Sequence, residues 1–536
     1  MSAAPATVDA PQHVCVRSEH TDKAAVVYLP REHLDEATEA QVRRMIDHPA
    51  VETARVMPDC HKGTGCCVGF TCALGGCVSP AIIGGDIGCG ISALPLPATT
   101  RALNGGRALE KMLATVHATV PMGNGAKGDH TDSNLAGDDF VEQVLAHADK
   151  QMVQFVAAYD SKHSTAWAES RPVLDAAWLH ARLAAWSLPL AQLRRQAGTL
   201  GGGNHFVEIN QLSGDSVDVT PGTPAGLLTV HSGSRCVGQG VYRFWMRVAL
   251  KNHAAAKEAA AGSPADDDAN EKLSRPATHD DEEIDLGAAY GHGVSLTGED
   301  ARGYCADMVF AQSFAIFNRA RMITAIARAS NIPLPSAADA EHDAEAMGSP
   351  EDTQDSLMAF INGGGNNAAE ATLDDNDDGD SGEDDDAEEE EADTATTVVD
   401  PACLIDSTHN YIDFKDWTVR KGAISAHAGE RCIIAQNMRD GVWLCEGRGA
   451  AEWNLSAPHG TGRIKGRTAA AARDKKQGEV LLKQFRQEMS AVLTHSVGID
   501  TLDERPSVYR DSSVVANAMG PAVRILAHYK PLANAK

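Results

Sequence analysis

A long acidic segment is the feature that most constrains how this chain can fold. Residues 331–400 contain no lysine or arginine, and residues 336–396 contain 22 of the 74 acidic residues but very few large apolar ones. Such a segment cannot bury enough apolar surface to offset the entropy lost on ordering, so residues 336–399 are predicted to form a disordered insert. Two roles are open for it: a solvated spacer, or a tail that mimics nucleic acid and binds a basic partner.

The same segment explains the net charge of the whole chain. The 536 residues carry a formal charge of −27, but only −5 remains once the insert is set aside. The charge of the chain therefore does not exclude nucleic acid as a partner, because most of the excess negative charge belongs to one segment.

The rest of the sequence alternates short β-rich runs with helical ones. The β-rich runs include residues 25–29, 227–230 and 432–434, and apolar residues recur at helical spacing in 301–326 and 478–493. This order predicts an α+β fold with one large catalytic domain, formed by residues 25–335 and 400–536. An N-terminal extension at residues 1–24 and a surface insert at residues 254–283 complete the predicted organisation.

Nothing in the sequence indicates secretion or membrane insertion. The start has no basic stretch leading into an apolar run, and the chain has no window of about eighteen uninterrupted apolar residues. We therefore predict a cytoplasmic or nuclear protein without a membrane partner, whose twelve cysteines are reduced thiols. Five cysteines lie between residues 60 and 77 without paired CxxC spacing, which favours buried thiols over a zinc module.

Two glycine-rich elements contain residues that could bind metal. The run Ile-Gly-Gly-Asp-Ile-Gly-Cys-Gly at 83–90 holds Asp86 and Cys89; a thiolate can bridge two metal ions, and a carboxylate adds a harder oxygen ligand. The run Gly-Thr-Leu-Gly-Gly-Gly-Asn-His-Phe-Val-Glu at 198–208 could surround a phosphate with backbone amides, while His205 binds metal. Each element alone is also compatible with a glycine turn around a buried side chain.

Three further elements each present a histidine near the end of a short strand or in a turn. His231 is followed by Ser-Gly-Ser-Arg, and His409 is followed by Asn-Tyr. His459 lies in Pro-His-Gly-Thr-Gly-Arg, an arrangement suited to an imidazole that attacks a nucleotide phosphate beside a cation. Singly, each histidine could be a hydrogen-bonded core residue or could cap a helix. Together, in one chain, they favour a metal site.

In this order the five elements resemble the RtcB family of RNA ligases, and the likeness covers about residues 26–332 and 402–536. Supporting stretches are Met-Pro-Asp-Cys-His-Lys-Gly at 57–63, Asn-Arg at 318–319, Arg-Lys-Gly-Ala at 420–423 and Tyr-Arg-Asp at 509–511. The resemblance implies an RtcB-type fold, with central β-sheets and surrounding helices around a two-metal active-site cleft. It also implies that two Mn²⁺ ions share the Cys89 thiolate, one completed by Asp86 and His205 and the other by His231 and His409.

The resemblance implies a reaction as well. His459 would attack the α-phosphate of GTP and form a histidine-linked GMP, which passes to an RNA 3′-phosphate before a 5′-hydroxyl end seals the strand. A 2′,3′-cyclic phosphate would first be opened at the same site. The expected partners are tRNA halves in splicing or broken RNA ends in repair, and an activating protein is an optional further partner.

The nucleotide contacts of the family map onto six parts of this chain. They are Asn204, His205, Phe206, Val207, Glu208, His409, Asn410, Ala435, Gln436, Asn437, Met438, Val442, His459, Gly460, Thr461, Gly462, Tyr509 as a base-stacking ring, and Lys536.

Five of these positions depart from the family pattern. The family usually has Pro-Gly-Ser-Met where this chain has Ala-Gln-Asn-Met at 435–438, and an ungapped count reaches Val442 where the family has a guanine-contacting serine. Losing one buried hydrogen bond would cost about 1–3 kcal/mol of base discrimination, which leaves the choice between GTP and ATP open at this point. Thr461 replaces an alanine beside the nucleophile, a change that we expect to be tolerated.

Two other functions are compatible with the sequence. A catalytically weakened RNA-binding subunit would keep the fold without forming the nucleotidyl-enzyme; the altered guanine loop favours this function and the complete ligand set opposes it. A metal-dependent phosphatase or nuclease would act without nucleotide and without His459. Arg194, Arg195 and the basic stretch 463–476 are candidate contacts for RNA phosphates, or else solvated helix faces.

Overall fold

The computed structural model describes residues 13–123, 125–131, 138–163, 165–216, 219–220, 222–261, 293–335 and 398–536. The predicted acidic insert lies outside the described residues, except for Val398 and Val399 at its end. Residues 1–12 of the predicted N-terminal extension and residues 262–283 of the predicted surface insert also lie outside them.

The β-strands of the described part are numbered in chain order. They are β1 Val14–Arg17, β2 Ala24–Val27, β3 Val51–His61, β4 Val68–Leu74, β5 Gly90–Leu96, β6 Phe206–Leu212, β7 Gly226–Ser232, β8 Ile405–Thr408, β9 Asn410–Asp413, β10 Thr418–Lys421, β11 Ala423–Ser425, β12 Arg431–Ala435, β13 Val442–Gly447, β14 Ser456–Pro458, β15 Leu493–Thr494 and β16 Val523–Ala535.

The α-helices are numbered in the same way. They are α1 Glu36–Ile46, α2 Pro80–Ile83, α3 Gly106–Thr119, α4 Asp138–His163, α5 Ala176–Ala185, α6 Leu190–Gln196, α7 Arg235–Ala261, α8 Gly298–Ala329, α9 Arg467–Ala470, α10 Lys475–Glu488 and α11 Ser512–Met519. Within the described ranges, no helix combines the length and the apolar character needed to cross a bilayer.

An eight-stranded sheet forms the centre of the fold. Its strands follow the order β12-β13-β16-β6-β7-β5-β8, with β15 paired to β16. The backbone N–H of Ile433 in β12 donates to Ser407 Oγ in β8 at 2.8 Å, so the two end strands approach each other and the sheet curls almost into a barrel. One apolar cluster draws its members from both halves of this curled sheet: Ile91, Ala93, Phe206, Leu227, Ile433, Val442, Leu444, Ala527 and Tyr529.

A six-stranded sheet with the order β1-β2-β3-β4-β10-β9 and the pair β11-β14 complete the strand layers. Helix α8 packs against α3, α4 and α7 and against strands β5 and β7 of the central sheet. Most of its side chains are buried because helices and sheet cover it on several sides. The mixture of sheets and surrounding helices confirms the predicted α+β class.

The predicted elements lie close to the observed ones. The β-rich runs fall in β2, β7 and β12, and the helical run 301–326 falls within α8. The second helical run is shorter than predicted, because α10 ends at Glu488 and Leu493 already pairs with β16 in β15. Several helices begin at an aspartate whose side chain accepts a backbone N–H; Asp35 accepts from Thr38 at 2.9 Å and Asp474 from Gln477 at 2.9 Å.

The predicted boundaries can be compared with the chain where it is described. Strand β1 lies within the predicted N-terminal extension and pairs with β2 in the six-stranded sheet. Helix α7 continues through residues 254–261 of the predicted surface insert. At the end of the acidic segment, Val399 is buried and its backbone N–H donates to Thr324 Oγ1 of α8 at 2.9 Å.

Candidate metal and nucleotide site

Three predicted ligands converge where the central strands begin or end. Cys89 directly precedes β5, His205 directly precedes β6, and His231 is the penultimate residue of β7. Strand β7 pairs with both of the others, and His231 stands opposite Ile91 and Phe206. Cys89 Sγ lies 3.5 Å from His205 Nε2 and 3.3 Å from His231 Nε2. All three ligand atoms lie within 4.8 Å of one another.

The two remaining predicted ligands adjoin this group. His409 follows β8, and its backbone N–H donates to the Cys89 carbonyl at 2.8 Å. Its Nε2 atom lies 3.3 Å from His231 Nε2. On the other side, Asp86 Oδ2 lies 3.3 Å from His205 Nε2. The structure therefore brings together all five side chains that the resemblance assigns to metal.

The ring orientations direct lone pairs into this group. His205 Nδ1 lies 2.8 Å from the Leu200 carbonyl and His231 Nδ1 lies 3.1 Å from the Asn204 carbonyl. A carbonyl only accepts, so each Nδ1 carries the proton and each Nε2 has a lone pair. The His205 lone pair then faces Asp86 Oδ2, and two acceptors at that distance repel unless a proton or a cation lies between them. This donor set fits a divalent cation.

Burial also affects the protonation of the ligands. It lowers the pKa of His231 and of His409 well below the ordinary range, so both rings are neutral, as metal binding requires. Burial, followed by the charge of Asp86, raises the pKa of the Cys89 thiol well above its ordinary range. A bound cation would offset that cost by attracting the thiolate, so binding would release a proton.

The predicted nucleophile lies beside the metal ligands. His459 follows β14, and its ring centre is 4.7 Å from that of His409. Its Nδ1 atom lies 2.7 Å from Oδ2 of Asp59, a fully buried residue of β3 that also accepts from Gly460 N at 3.2 Å. His61 is adjacent, with Nδ1 3.1 Å from the Asp59 carbonyl. Asp59 and His61 were not predicted as site residues, although both lie in the supporting stretch 57–63.

A cavity of about 420 Å³ is lined by four of the five predicted metal ligands, by His459 and by most of the predicted nucleotide contacts. The predicted nucleotide contacts in its lining are Asn204, Phe206, Glu208, His409, Asn410, Ala435, Gln436, Asn437, Met438, His459, Gly460, Thr461, Gly462, Tyr509 and Lys536. Three others, His205, Val207 and Val442, lie outside the lining.

Val442 and Val207 occupy core positions in the central sheet. Val442 is fully buried in β13, opposite Ala435 on one side and Tyr529 on the other. Val207 is buried in β6, opposite Val230 of β7 on one side and Ala535 of β16 on the other. The location of Val442 therefore does not support the predicted base contact. Counting four residues on from Met438 without a gap leaves the loop and reaches the first residue of β13.

The loop at residues 435–441, which contains the departures from the family pattern, is stabilised by internal hydrogen bonds. Asn437 Oδ1 accepts the backbone N–H groups of Arg439 and Asp440 at 3.0 and 3.1 Å, and Gly441, with φ +82°, returns the chain to β13. Gln436 lies in the cavity lining, and its carbonyl accepts from Thr461 Oγ1 at 3.1 Å. The extra hydroxyl at 461 thus has a buried partner, which explains how a threonine is accommodated there.

The buried carboxylate of Glu504 binds several charged and polar groups at one part of the cavity. Glu504 Oε2 accepts from Lys536 Nζ at 2.5 Å and from the Tyr509 hydroxyl at 2.8 Å, while Oε1 accepts from Arg463 at 3.2 Å and Arg467 at 2.7 Å. Burial alone would raise the pKa of Glu504, but Lys536 and the two arginines together lower it to about 2. Glu504 was not predicted, because its role depends on partners distant in sequence.

A second carboxylate in the lining is incompletely bonded. Glu208 Oε1 accepts from Asn534 Nδ2 at 2.8 Å, whereas none of the described residues donates to its buried Oε2. Burial raises the pKa of Glu208 to about 8, against the lowering effects of Asn534 and Lys536. An acceptor left free in a cavity wall is available for a ligand.

A second group of potential metal ligands, outside the cavity lining, is already neutralised. Asp413, Asp416 and His427 lie close together. Fully buried Arg420 donates to Asp413 Oδ2 at 2.7 Å and to Asp416 Oδ2 at 2.5 Å, and His427 Nε2 lies 3.3 Å from Asp416 Oδ2. Because a cation of the protein lies between the carboxylates, we interpret this group as a structural ion-pair network.

Comparisons with known proteins show similarity over most of the chain. The family model described as "tRNA-splicing ligase RtcB" matches residues 41–346 and 387–536. The chain is 23% identical to the RNA-splicing ligase RtcB of Escherichia coli K12 over 485 residues, covering 88% of this chain and 86% of that protein. It is 27% identical to the tRNA-splicing ligase RtcB of Methanococcus maripaludis over 233 residues, covering 41% of this chain and 46% of that protein.

Proposed function

Because this chain belongs to the RtcB family, we propose that it is an RNA ligase that joins 3′-phosphate or 2′,3′-cyclic phosphate ends to 5′-hydroxyl ends through a histidine-linked GMP. One observation carries the proposal: a single cavity is lined by metal ligands and by His459, whose ring centre is 4.7 Å from that of His409. The names of the relatives favour tRNA splicing as the setting, and RNA repair would use the same kinds of ends.

Five side chains would hold two Mn²⁺ ions. Cys89 would be shared, with Asp86 and His205 completing one site and His231 and His409 completing the other. The short distances between their ligand atoms and the lone pairs on the histidine rings support this division. Two divalent cations bound there would act as Lewis acids that neutralise charge on phosphate oxygens. The choice of Mn²⁺ follows the family resemblance, since nitrogen, thiolate and carboxylate ligands suit several first-row metals.

His459 is the proposed nucleophile. Its Nδ1 lies 2.7 Å from Asp59 Oδ2, so the negative charge of Asp59 would favour a proton on Nδ1, and Nε2 would keep its lone pair. Nε2 then attacks the α-phosphorus of GTP: a phosphorus–nitrogen bond forms, and the bond to pyrophosphate breaks. The Asp59 carboxylate offsets the positive charge that the ring gains.

His459 next transfers GMP to the RNA. An oxygen of the RNA 3′-phosphate attacks the phosphorus of the histidine-linked GMP, the phosphorus–nitrogen bond breaks, and the ring becomes neutral again. The 5′-hydroxyl of the second strand then attacks the activated 3′-phosphorus, loses its proton and releases GMP. Activation is needed because a phosphate monoester is a poor electrophile without a good leaving group. A 2′,3′-cyclic phosphate would first consume one water to give the 3′-phosphate.

The nucleotide base is assigned to the part of the cavity near Glu208, Tyr509 and Lys536. The Tyr509 ring can stack on a base, and the free Oε2 of Glu208 can accept N–H groups. Guanine presents two adjacent N–H donors on one edge, whereas adenine presents one donor beside an acceptor. GTP is therefore the proposed substrate, with Glu208 as the discriminating residue in place of position 442.

The RNA backbone is assigned to the arginines at the cavity. Arg463 and Arg467 both line it, and the Arg467 side chain is 44% exposed. Arg467 can therefore contact a phosphate outside the cavity while it remains bound to Glu504 inside. Such contacts would make RNA affinity fall as the salt concentration rises.

An RNA joining assay tests the proposal. Two strands, one with a 3′-phosphate and one with a 5′-hydroxyl, are incubated with the protein and Mn²⁺ in the presence of GTP, ATP or no nucleotide. We expect joining with GTP, loss of joining in His459→Ala, and no loss in His180→Ala, which replaces an exposed histidine of α5. Phosphate release without nucleotide would favour a phosphoesterase, and RNA binding without either reaction would favour a weakened subunit. Both outcomes contradict the proposal.

A further inference from the structure

Two consecutive residues of α8, Asn318 and Arg319, contact the segments that carry the proposed metal ligands. Asn318 and Arg319 are both fully buried, and α8 packs against strands β5 and β7. Burying a guanidinium is costly unless its N–H groups are hydrogen-bonded and its charge is balanced. The partners of this arginine are therefore informative.

Arg319 connects three segments that each carry a proposed ligand. Its Nη1 donates to the Gly88 carbonyl at 2.8 Å and to the Ser232 carbonyl at 3.0 Å, and its Nη2 donates to Thr408 Oγ1 at 3.2 Å. Gly88 directly precedes one ligand in the chain, Ser232 directly follows another, and Thr408 directly precedes a third. One planar group thus touches the immediate neighbours of Cys89, His231 and His409.

The remaining N–H groups of Arg319 complete its bonding. Nε donates to Ser92 Oγ at 2.8 Å, and Nη2 donates to Asp406 Oδ1 at 2.7 Å. Asp406 supplies the balancing charge, and its Oδ2 accepts from the Thr408 hydroxyl at 2.7 Å. The five N–H groups of the guanidinium therefore have partners in strands β5, β7 and β8 or in the turn before β5.

Asn318 reaches the segment of the fourth ligand. Its Oδ1 accepts the backbone N–H of Gly198 at 2.7 Å, and its Nδ2 lies 3.2 Å from Ser232 Oγ. The Ser232 hydroxyl donates to the Leu200 carbonyl at 2.8 Å, which also accepts from Nδ1 of His205 at 2.8 Å. Asn318 is thus connected, through the Ser232 hydroxyl, to the Leu200 carbonyl that orients the His205 ring.

We propose that Asn318 and Arg319 are positioning residues that set the spacing of Cys89, His205, His231 and His409 and thereby allow two cations to share one thiolate. The inference rests on the proposed two-metal site. Backbone pairing already joins β7 to β5 and β6 and joins β5 to β8, and His409 N donates to the Cys89 carbonyl at 2.8 Å. Arg319 adds side-chain hydrogen bonds at the ends of these strands, directly beside the ligands, and Asn318 adds bonds to the glycine-rich loop.

A lysine cannot replace Arg319 in this role. Its ammonium has three donors around one atom, whereas the partners of Arg319 are distributed around a planar fork with five. If Arg319 acted only through its charge, Arg319→Lys would preserve the metal site. If it acts by geometry, the lysine variant loses the spacing although the charge remains. This substitution therefore separates the two roles.

The matched control is an ion pair between Arg182 of α5 and Asp307 of α8. Arg182 donates to Asp307 of α8 through Nε at 2.8 Å, and Asp307 is buried. Arg182→Lys removes a similar fork about three helical turns away. Among the described residues, Arg182 contacts Asp307 and aromatic rings and none of the proposed ligands. Mn²⁺ binding is measured by equilibrium dialysis, and spin coupling between the bound ions by electron paramagnetic resonance; circular dichroism checks folding.

We expect the unmodified protein and Arg182→Lys to bind two Mn²⁺ ions with a spin-coupled spectrum. Arg319→Lys should bind about 10–100-fold more weakly at one or both sites and lose the coupled spectrum. Two tightly bound, coupled ions in Arg319→Lys, or equal weakening in Arg182→Lys, would overturn the inference. If Arg319→Lys does not fold, Thr408→Val, which removes one partner hydroxyl at nearly constant shape, must weaken binding several-fold or the inference fails. If the unmodified protein did not bind two ions, the proposed function itself would be at fault.

Discussion

The Nδ1 atom of His459 lies 2.7 Å from the Oδ2 atom of fully buried Asp59. The same carboxylate oxygen accepts the backbone N–H of Gly460 at 3.2 Å, so Asp59 contacts the ring and is hydrogen-bonded to the chain beside it. The loop can approach because position 462 is a glycine with φ +72°, where a Cβ atom would lie 2.0 Å from the Asp59 carbonyl oxygen. Asp59 therefore orients the proposed nucleophile.

Replacing Asp59 with asparagine should slow formation of the nucleotidyl-enzyme. The amide keeps the shape but removes the charge that stabilises a positive imidazole, so we expect a loss of about 100-fold or more in the rate of adduct formation. The number of bound Mn²⁺ ions should remain that of the unmodified protein, which serves as the control. An unchanged rate would show that Asp59 has no part in activating His459.

GTP affinity should depend on the ionisation of Glu208. Burial raises the pKa of this carboxyl from 4.5 to about 8, so the side chain is mostly neutral below that pH in the nucleotide-free protein. Guanine needs the ionised form, and binding must therefore release a proton. We expect the affinity for GTP to rise up to about tenfold per pH unit as the pH approaches 8, and to level off above it. Calorimetric titrations of Glu208→Gln should lack this slope; the same slope in the variant would rule Glu208 out.

Removing the charge of Glu504 should destabilise the protein. Its pKa lies at about 2 against an ordinary 4.5, so its ionised form contributes stability above about pH 4.5, and that contribution disappears as the pH falls toward 2. The lowered pKa of Glu504 corresponds to a contribution on the order of 3 kcal/mol to the free energy of unfolding. Urea unfolding should show Glu504→Gln to be less stable at neutral pH by about this amount and less sensitive to acid. Glu479→Gln, at an exposed glutamate of α10, is the control, and equal stability of the two variants would refute the prediction.

A serine at position 442 should not improve the choice of base. Val442 is fully buried within β13, so a hydroxyl there would lack a partner and leave a small void, costing about 1–3 kcal/mol of stability. We expect the ratio of GTP to ATP affinities to be unchanged in Val442→Ser. Glu208→Gln, at the assigned base contact in the cavity lining, should lower the ratio. A gain in GTP preference in Val442→Ser would contradict the assignment of the base to Glu208.

Local sequence patterns predicted much of the fold, whereas the ligand set came from the family resemblance. Periodicity identified α8 and strands β7 and β12, because helices and strands bury side chains at characteristic intervals. The order of the strands was not predictable, since β16 near the chain end lies between β13 and β6. Such long-range pairings leave no local signal.

The site residues also differ in whether local sequence or long-range contacts reveal their roles. Cys89 and the histidines each lie in a glycine-rich turn or at a strand end, and only their combination in one chain suggests metal. Glu504 looks ordinary in sequence, because its role depends on partners brought in from distant segments. Arg319 supported the resemblance, but no local pattern indicates which segments its side chain joins. The count that led to Val442 was unreliable because Gly441 ends the loop and β13 begins at the next residue.

The central claim is that His459 becomes covalently linked to GMP. The most direct measurement is to incubate the protein with GTP and Mn²⁺, without RNA, and to locate any added nucleotide by tandem mass spectrometry of its peptides. The account predicts GMP on residue 459 alone, absent from His459→Ala and released when RNA with a 3′-phosphate is added. GMP on another residue, or no adduct in a protein that binds two Mn²⁺ ions and GTP, would contradict it.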